Sequence, residues 1–297
     1  TNPHIRRIHT IEEAPSLVHQ AAFIRSIVRK YDIALSTQSG DRQIFYAVLA
    51  GRKSFGLVEK ELKQSWKRLI LSGWREFDNR DTHTVLMNLA LADALDIEKR
   101  YDMVVSWSRR QEERLERLLP FDRNRTRYAV LHPCPKFTYK MWRAGAWSEL
   151  GHALEKQGYQ IVATGGGASE EMDYLAGILP TLPVETTDMS GKLDLIEVAC
   201  LISSASVYVG PDTSVTHLAA ALGTPTVALY GPTNPVKWGP WPRGRGRQRD
   251  RNPYRRRGSF QRAENVILLQ GEQECVPCAE EGCDRNLFSE SRCLQSI

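Results

Sequence analysis

The C-terminal half of the chain alternates short, continuously apolar runs with longer amphipathic ones. Strands are expected at 128–132 (YAVLH), 159–164 (YQIVAT), 207–210 and 225–230 (PTVALY), and helices at 146–157, 169–178, 193–203 and 214–222. Apolar strands without in/out alternation, separated by helices, indicate a parallel sheet covered on both faces. That is a doubly wound α/β lobe. The first part repeats the pattern more weakly, with strands at 32–36 and 54–57 and helices at 43–50 and 81–95, the last capped by Asp81 or Thr82. The polar, arginine-rich stretch 109–127, interrupted by Pro120, is the expected connection between lobes. Beyond Pro242 the regular pattern fails, leaving an arginine-rich loop, one short strand at 266–269 and a cysteine-bearing tail. The expected layout is therefore a first lobe at 1–120, a second at 121–242, and loop plus tail at 243–297.

Composition narrows this little. The 297 residues are 41% hydrophobic and 25% charged, which is ordinary for a globular protein and excludes collagen, disorder and a small disulfide scaffold. Uncharged apolar stretches such as 198–201 or 219–222 fall far short of the roughly 20 residues of a spanning helix. The net charge of +5 is more informative once it is located. From Arg243 to Arg262 nine arginines stand against one acid, Asp250, so this loop carries +8 and the rest of the chain −3. A slightly acidic protein with one arginine loop differs from a generally basic one. No aromatic-bearing nucleic-acid module accompanies the arginines, so no nucleic-acid partner is expected.

The chemistry concentrates in 207–242, VYVGPDTSVTHLAAALGTPTVALYGPTNPVKWGPWP. A buried strand ends at Gly210, Asp212, Thr213 and Ser214 form the turn, and a helix starts with small residues. Free backbone N–H groups then point to the carboxyl end of the sheet, an anion site suited to a nucleotide phosphate. His217, three residues after Ser214, faces the same side. In isolation, a capping Asp or Thr and a helix-surface histidine would explain the same residues.

The run D-T-S-V-T-H-L-A-A-A-L-G-T-P-T-V-A-L-Y-G-P-T-N-P-x-x-W-G-P resembles the signature of glycosyltransferase family 9, the ADP-heptose:lipopolysaccharide heptosyltransferases. A second stretch, 129–142 (AVLHPCPKFTYKMW), resembles the family's strand and loop carrying L-H-P-G and K-x-W, with Cys134 where the family usually has Gly. A third, 163–171 (ATGGGASEE), resembles its Gly-rich turn. The resemblance implies a GT-B fold of two Rossmann-like lobes. It implies Lys140 as the catalytic lysine at the donor diphosphate. The donor pocket it implies is lined by Thr138, Glu170, Asp212, Thr213, Ser214 and His217, with Glu170 on the ribose and Ser214 in place of the commoner Gly. A lysine there can neutralise charge on a departing diphosphate.

The family opens with a Gly-rich loop carrying G-D-x-L, whose aspartate is the proposed general base. No such segment precedes Thr1, so the first lobe is expected to be incomplete and the chain to bind nucleotide better than it transfers sugar. On this reading the enzyme moves heptose with inversion from ADP-heptose to the lipopolysaccharide inner core, at the cytoplasmic face of the inner membrane, with no catalytic metal. Two alternatives stay open: a GT-B transferase using another nucleotide sugar, and a non-catalytic binding protein. The arginine loop fits attraction to acidic core sugars or an anionic leaflet. Cys275, Cys278, Cys283 and Cys293, with spacing C-x2-C-x4-C-x9-C, could hold a structural metal, form disulfides or remain free thiols.

Overall fold

In the computed structural model, residues 5–167, 169–245 and 250–297 are described, with the backbone alone at 169 and 170. They divide into two units, one of 5–101 with 250–252 and the other of 102–245 with 253–297.

In the first unit, helix α1 (Leu17–Ile27) is capped by Ser16, whose hydroxyl accepts the His19 N–H at 3.3 Å. Strands β1 (Tyr31–Ser36), β2 (Gly51–Glu59) and β3 (Gly73–Phe77) pair in that order, all parallel, linked by helices α2 (Asp41–Ala50) and α3 (Lys67–Ile70). Helix α4 (Thr84–Ala94) follows. Successive strand residues point to opposite faces. Accordingly Val58 packs with Ile44 and Leu71, while its neighbour Leu57 packs with Phe77, Met87 and Leu91. Strand β1 is an edge, with Tyr31, Ile33 and Leu35 exposed. The expected cap of α4 is corrected: His83 takes that place, its Nδ1 accepting the Val85 N–H at 3.1 Å. The Asp81 carbonyl instead accepts from Asn252 Nδ2 at 2.9 Å, which explains why 250–252 join this unit.

The second unit begins earlier than the expected boundary at 120. Residues 109–127 do not form an open connection: α5 (Arg109–Leu118) is a helix with a capping box between Ser108 and Gln111. Its one fully buried residue, Leu115, joins the core of this unit. After it come β4 (Tyr128–Leu131), α6 (Ala144–Lys156), β5 (Gln160–Ala163), α7 (Ser169–Ile178), β6 (Thr187–Asp188), α8 (Leu195–Ser203), β7 (Val207–Pro211), α9 (Ser214–Leu222), β8 (Thr226–Tyr230) and α10 (Pro235–Trp238). The stretch expected as loop and tail adds β9 (Phe260–Ala263), β10 (Val266–Gln270) and α11 (Arg292–Gln295). The sheet order is β6-β5-β4-β7-β8-β10-β9, parallel except for β9 against β10.

Strand β4 is buried at every residue and shows why its run lacks polar positions. Tyr128 and Val130 face the cluster that holds Leu115, Leu201 and Ala219, while Ala129 and Leu131 face Trp147, Ile161 and Ile178. Helices thus cover both faces. Helix α9 ends at Gly223, whose φ of 85° needs glycine, its N–H donating to the carbonyls of Ala219 and Ala220. The arginine-rich stretch is only partly a solvated loop. Arg243 donates to the Leu222 carbonyl at 2.9 Å, Arg245 stacks on Trp241 at 4.7 Å, and Arg257 reaches the carbonyls of Gln273 and Glu274. Arg255 and Arg256 are exposed, and Arg247 and Arg249 lie outside the described residues. Among the described residues, no helix is long and apolar enough to cross a membrane.

Candidate active site

The strand order reverses between β4 and β7, whose other neighbours run away in opposite directions. The crevice outside the carboxyl ends of these two strands is where open α/β sheets hold ligands. Both strands deliver their following loops there. After β4 the chain passes His132 and Cys134 to a tight turn at Thr138–Lys140, held by the Lys140 N–H to the Phe137 carbonyl at 3.0 Å. After β7 comes Asp212, then Thr213, which caps α9 with its hydroxyl 3.4 Å from the Thr216 N.

Across this crevice the Lys140 ammonium donates to Asp212 Oδ2 at 2.6 Å. The carboxylate is only 8% exposed and is met on every side. Thr233 donates to Oδ2 at 2.8 Å, and the His217 Nε2 stands 3.7 Å from Oδ1. The Tyr230 hydroxyl has one proton and two acceptors, Asp212 Oδ1 at 3.2 Å and the Trp238 carbonyl at 2.8 Å. Burial alone would push the Asp212 carboxyl up, but the His217 imidazole and the Lys140 ammonium outweigh it and hold it well below the usual carboxylate range. Burial raises Tyr230 well above 10, with the Asp212 charge adding to it, so this phenol stays a donor. Desolvation lowers the buried His132 to about 4, against a backbone hydrogen bond to Cys134, and its Nδ1 lies 3.0 Å from the Thr164 hydroxyl. His132 is thus a neutral bridge between the ends of β4 and β5.

The arrangement offers an anion three kinds of donor in one place. These are the first N–H groups of α9, which have no acceptor within the helix, the exposed Ser214 hydroxyl, and the N–H bonds of Lys140 that Asp212 leaves free. A carboxylate fixed by several donors holds the lysine without competing for its whole charge.

Of the residues expected from sequence, Lys140, Asp212, Thr213, Ser214 and His217 come together here. Thr138 opens the turn that ends in Lys140, with its carbonyl accepting the Met141 N–H at 2.9 Å. The Glu170 side chain lies outside the described residues. Its neighbour Glu171 accepts the Gly166 N–H at 2.7 Å and so pins the Gly-rich turn. Sequence reasoning missed Tyr230, Thr233 and His132. The signal was present for the first two: an Asp at a sheet edge needs donors, and both lie in the next strand and loop.

Cys275 and Cys283 are exposed, Cys278 is half-buried and Cys293 is buried; all four are free thiols lining one cavity. Among the described residues, no three His, Cys, Asp or Glu side chains are placed to hold a metal ion. Burial, then the three neighbouring cysteines, push the Cys293 thiol up to about 11.

Comparison with known proteins agrees with the fold and the motifs. Residues 20–266 match the sequence model of glycosyltransferase family 9 (heptosyltransferase). Lipopolysaccharide heptosyltransferase 3 of Escherichia coli (strain K12) is 32% identical over 164 residues, which are 54% of this chain and 47% of the relative. The chain spans about half the length, or less, of the curated relatives it matches. Among solved structures, a glycosyl transferase family 9 protein from Veillonella parvula DSM 2008 superposes with a TM-score of 0.68 at 15% identity, over 86% of this chain and 69% of the other. E. coli heptosyltransferase WaaC with ADP superposes with a TM-score of 0.62 at 20% identity, over 86% and 73%. These likenesses bear on the fold.

Proposed function

The chain belongs to glycosyltransferase family 9, and on that premise we propose that it is a GT-B heptosyltransferase acting on the lipopolysaccharide inner core, with ADP-heptose as donor. The observation that carries this reading is the Lys140–Asp212 pair set beside the N-terminus of α9 at the reversal of strand order. Two loops from adjacent strands there converge on a spot where an anion finds fixed donors and no reorganisation is needed.

In this reading the diphosphate of the donor lies against the N–H groups of Thr213 and Ser214, with Lys140 on its far oxygens. Transfer is a single displacement with inversion. An acceptor hydroxyl attacks the anomeric carbon, the bond to the β-phosphate oxygen breaks, and the electron pair leaves on ADP. Lys140 and the helix N-terminus meet the charge that develops, so the displacement needs no metal. Asp212 keeps Lys140 aimed, His217 contributes a further polar edge, and Thr138 reaches phosphate. A base takes the proton of the attacking hydroxyl, a role the family resemblance gives to an aspartate. Work at the cytoplasmic face of the inner membrane suits an acidic glycolipid acceptor and the exposed Arg255 and Arg256.

The test is a donor panel. ADP-heptose and ADP are expected to raise the melting temperature of the chain, and UDP- and GDP-sugars to leave it unchanged. Stabilisation by a UDP-sugar alone would move the assignment to another nucleotide sugar, and no response to any donor would remove it.

A further inference from the structure

The C-terminal segment is not an appendage. It closes on both loops that present the Lys140–Asp212 pair, from residues far away in sequence. Ser291, 2% exposed, donates its hydroxyl to the Tyr139 carbonyl at 2.6 Å, immediately before Lys140. The Ala279 N–H donates to the Pro232 carbonyl at 2.9 Å, immediately before Thr233, whose hydroxyl holds Asp212. The carbonyl of Ile297 accepts from Trp142 Nε1 at 3.2 Å, two residues after Lys140. Between these bonds the packing is tight. A Cβ on Gly231 would stand 2.8 Å from Leu294 Cγ and 3.0 Å from Cys293 Sγ, and one on Gly271 would meet the Cys293 carbonyl at 1.9 Å. Leu294 is 1% exposed and Val276 3%.

We propose that residues 271–297 are a brace for the donor-phosphate site, in which Ser291 is the positioning residue for Lys140 and the turn at Ala279 positions Thr233 on Asp212. The role assigned to Lys140 rests on the function proposed above; the brace itself rests on the hydrogen bonds. The Tyr139 carbonyl belongs to a one-turn segment whose orientation sets where the Lys140 side chain starts. A buried hydroxyl fixing that carbonyl removes a freedom the short turn could not remove alone. The second loop is fixed in the same way, so the two halves of the ion pair are held by one piece of chain.

The experiment compares wild type, Ser291→Ala and Ser291→Thr in two measurements. The first needs no ligand: the rate of Lys140 acetylation by an N-hydroxysuccinimidyl acetate, read by peptide mass against exposed Lys156 as reference. Ser291→Ala is expected to raise the Lys140 rate several-fold while Lys156 stays constant, and Ser291→Thr to restore it. Equal Lys140 rates in wild type and Ser291→Ala would overturn the brace. The second is ADP titration: Ser291→Ala weakens binding several-fold, and has no further effect once Lys140→Ala is present. An equal loss in both backgrounds also overturns the proposal, because Ser291 would then not act through Lys140. Absence of ADP binding by wild type would count against the nucleotide reading instead, and the acetylation rates would still decide the brace.

Discussion

Replacing Lys140 with Ala separates a binding role from a structural one. The ammonium lies 2.6 Å from Asp212 and its side chain is 20% exposed, so it is desolvated enough to act strongly and open enough to reach a ligand. A diphosphate charge about 4 Å away would gain roughly 4 kcal/mol at an effective dielectric near 20. Partial exposure and the competing carboxylate reduce this to about 2 kcal/mol, or roughly 30-fold in Kd. Fold stability is affected less. Breaking a buried pair can cost about 3–5 kcal/mol, but Asp212 keeps Thr233, Tyr230 and His217, so about 1–2 kcal/mol is expected. Calorimetric titration with ADP at fixed ionic strength, alongside urea denaturation, measures both. A folded Lys140→Ala chain whose Kd for ADP lies within about threefold of wild type would refute the electrostatic argument.

Two further outcomes follow from the charges. The unfolded chain protonates His132 near its ordinary 6.5, while the folded chain resists until about 4. Its contribution is therefore complete above the higher value and is lost as pH falls toward the lower one. Between pH 7 and pH 5, wild type should lose about 2 kcal/mol more than His132→Asn in urea denaturation, and equal losses would show that the imidazole is not held neutral. Arg255 and Arg256 are exposed, and at about 1 kcal/mol each near an anionic surface, the double change to Ser should weaken binding to phosphatidylserine vesicles roughly 30-fold at low salt. Unchanged partitioning would leave these arginines without a membrane role.

Much of the second unit was legible because its central strands, such as β4 and β7, are buried on both faces. Runs such as 128–131 have no polar positions to disguise them, and all four of these residues are buried. Other elements left little trace. Helix α1 buries only Ile27 and exposes Leu17 and Val18, so its pattern has no clear period. Helix α5 is charged at most positions and buries one leucine, which made it resemble a linker. Strand β3 is five residues long, and only Phe77 is fully buried.

The site divides in the same way. The turn of Asp212 and Thr213 into α9 is local, so spacing alone indicates a helix N-terminus. The approach of Lys140 to Asp212 joins residues 72 positions apart, and that of Ser291 to Tyr139 joins residues 152 apart. Contacts of that range depend on strand order. The order was not readable, because the two strands flanking the crevice, β4 and β7, are adjacent in the sheet but separated in sequence by β5 and β6.

A crystal structure of the chain with ADP would show whether the crevice between β4 and β7 holds the diphosphate. Diphosphate oxygens are expected within about 3 Å of the N–H groups of Thr213 and Ser214 and of the Lys140 ammonium, at the carboxyl ends of β4 and β7. ADP bound elsewhere on the second unit, or at this crevice with Lys140 still turned wholly to Asp212 and away from the phosphates, would contradict this placement.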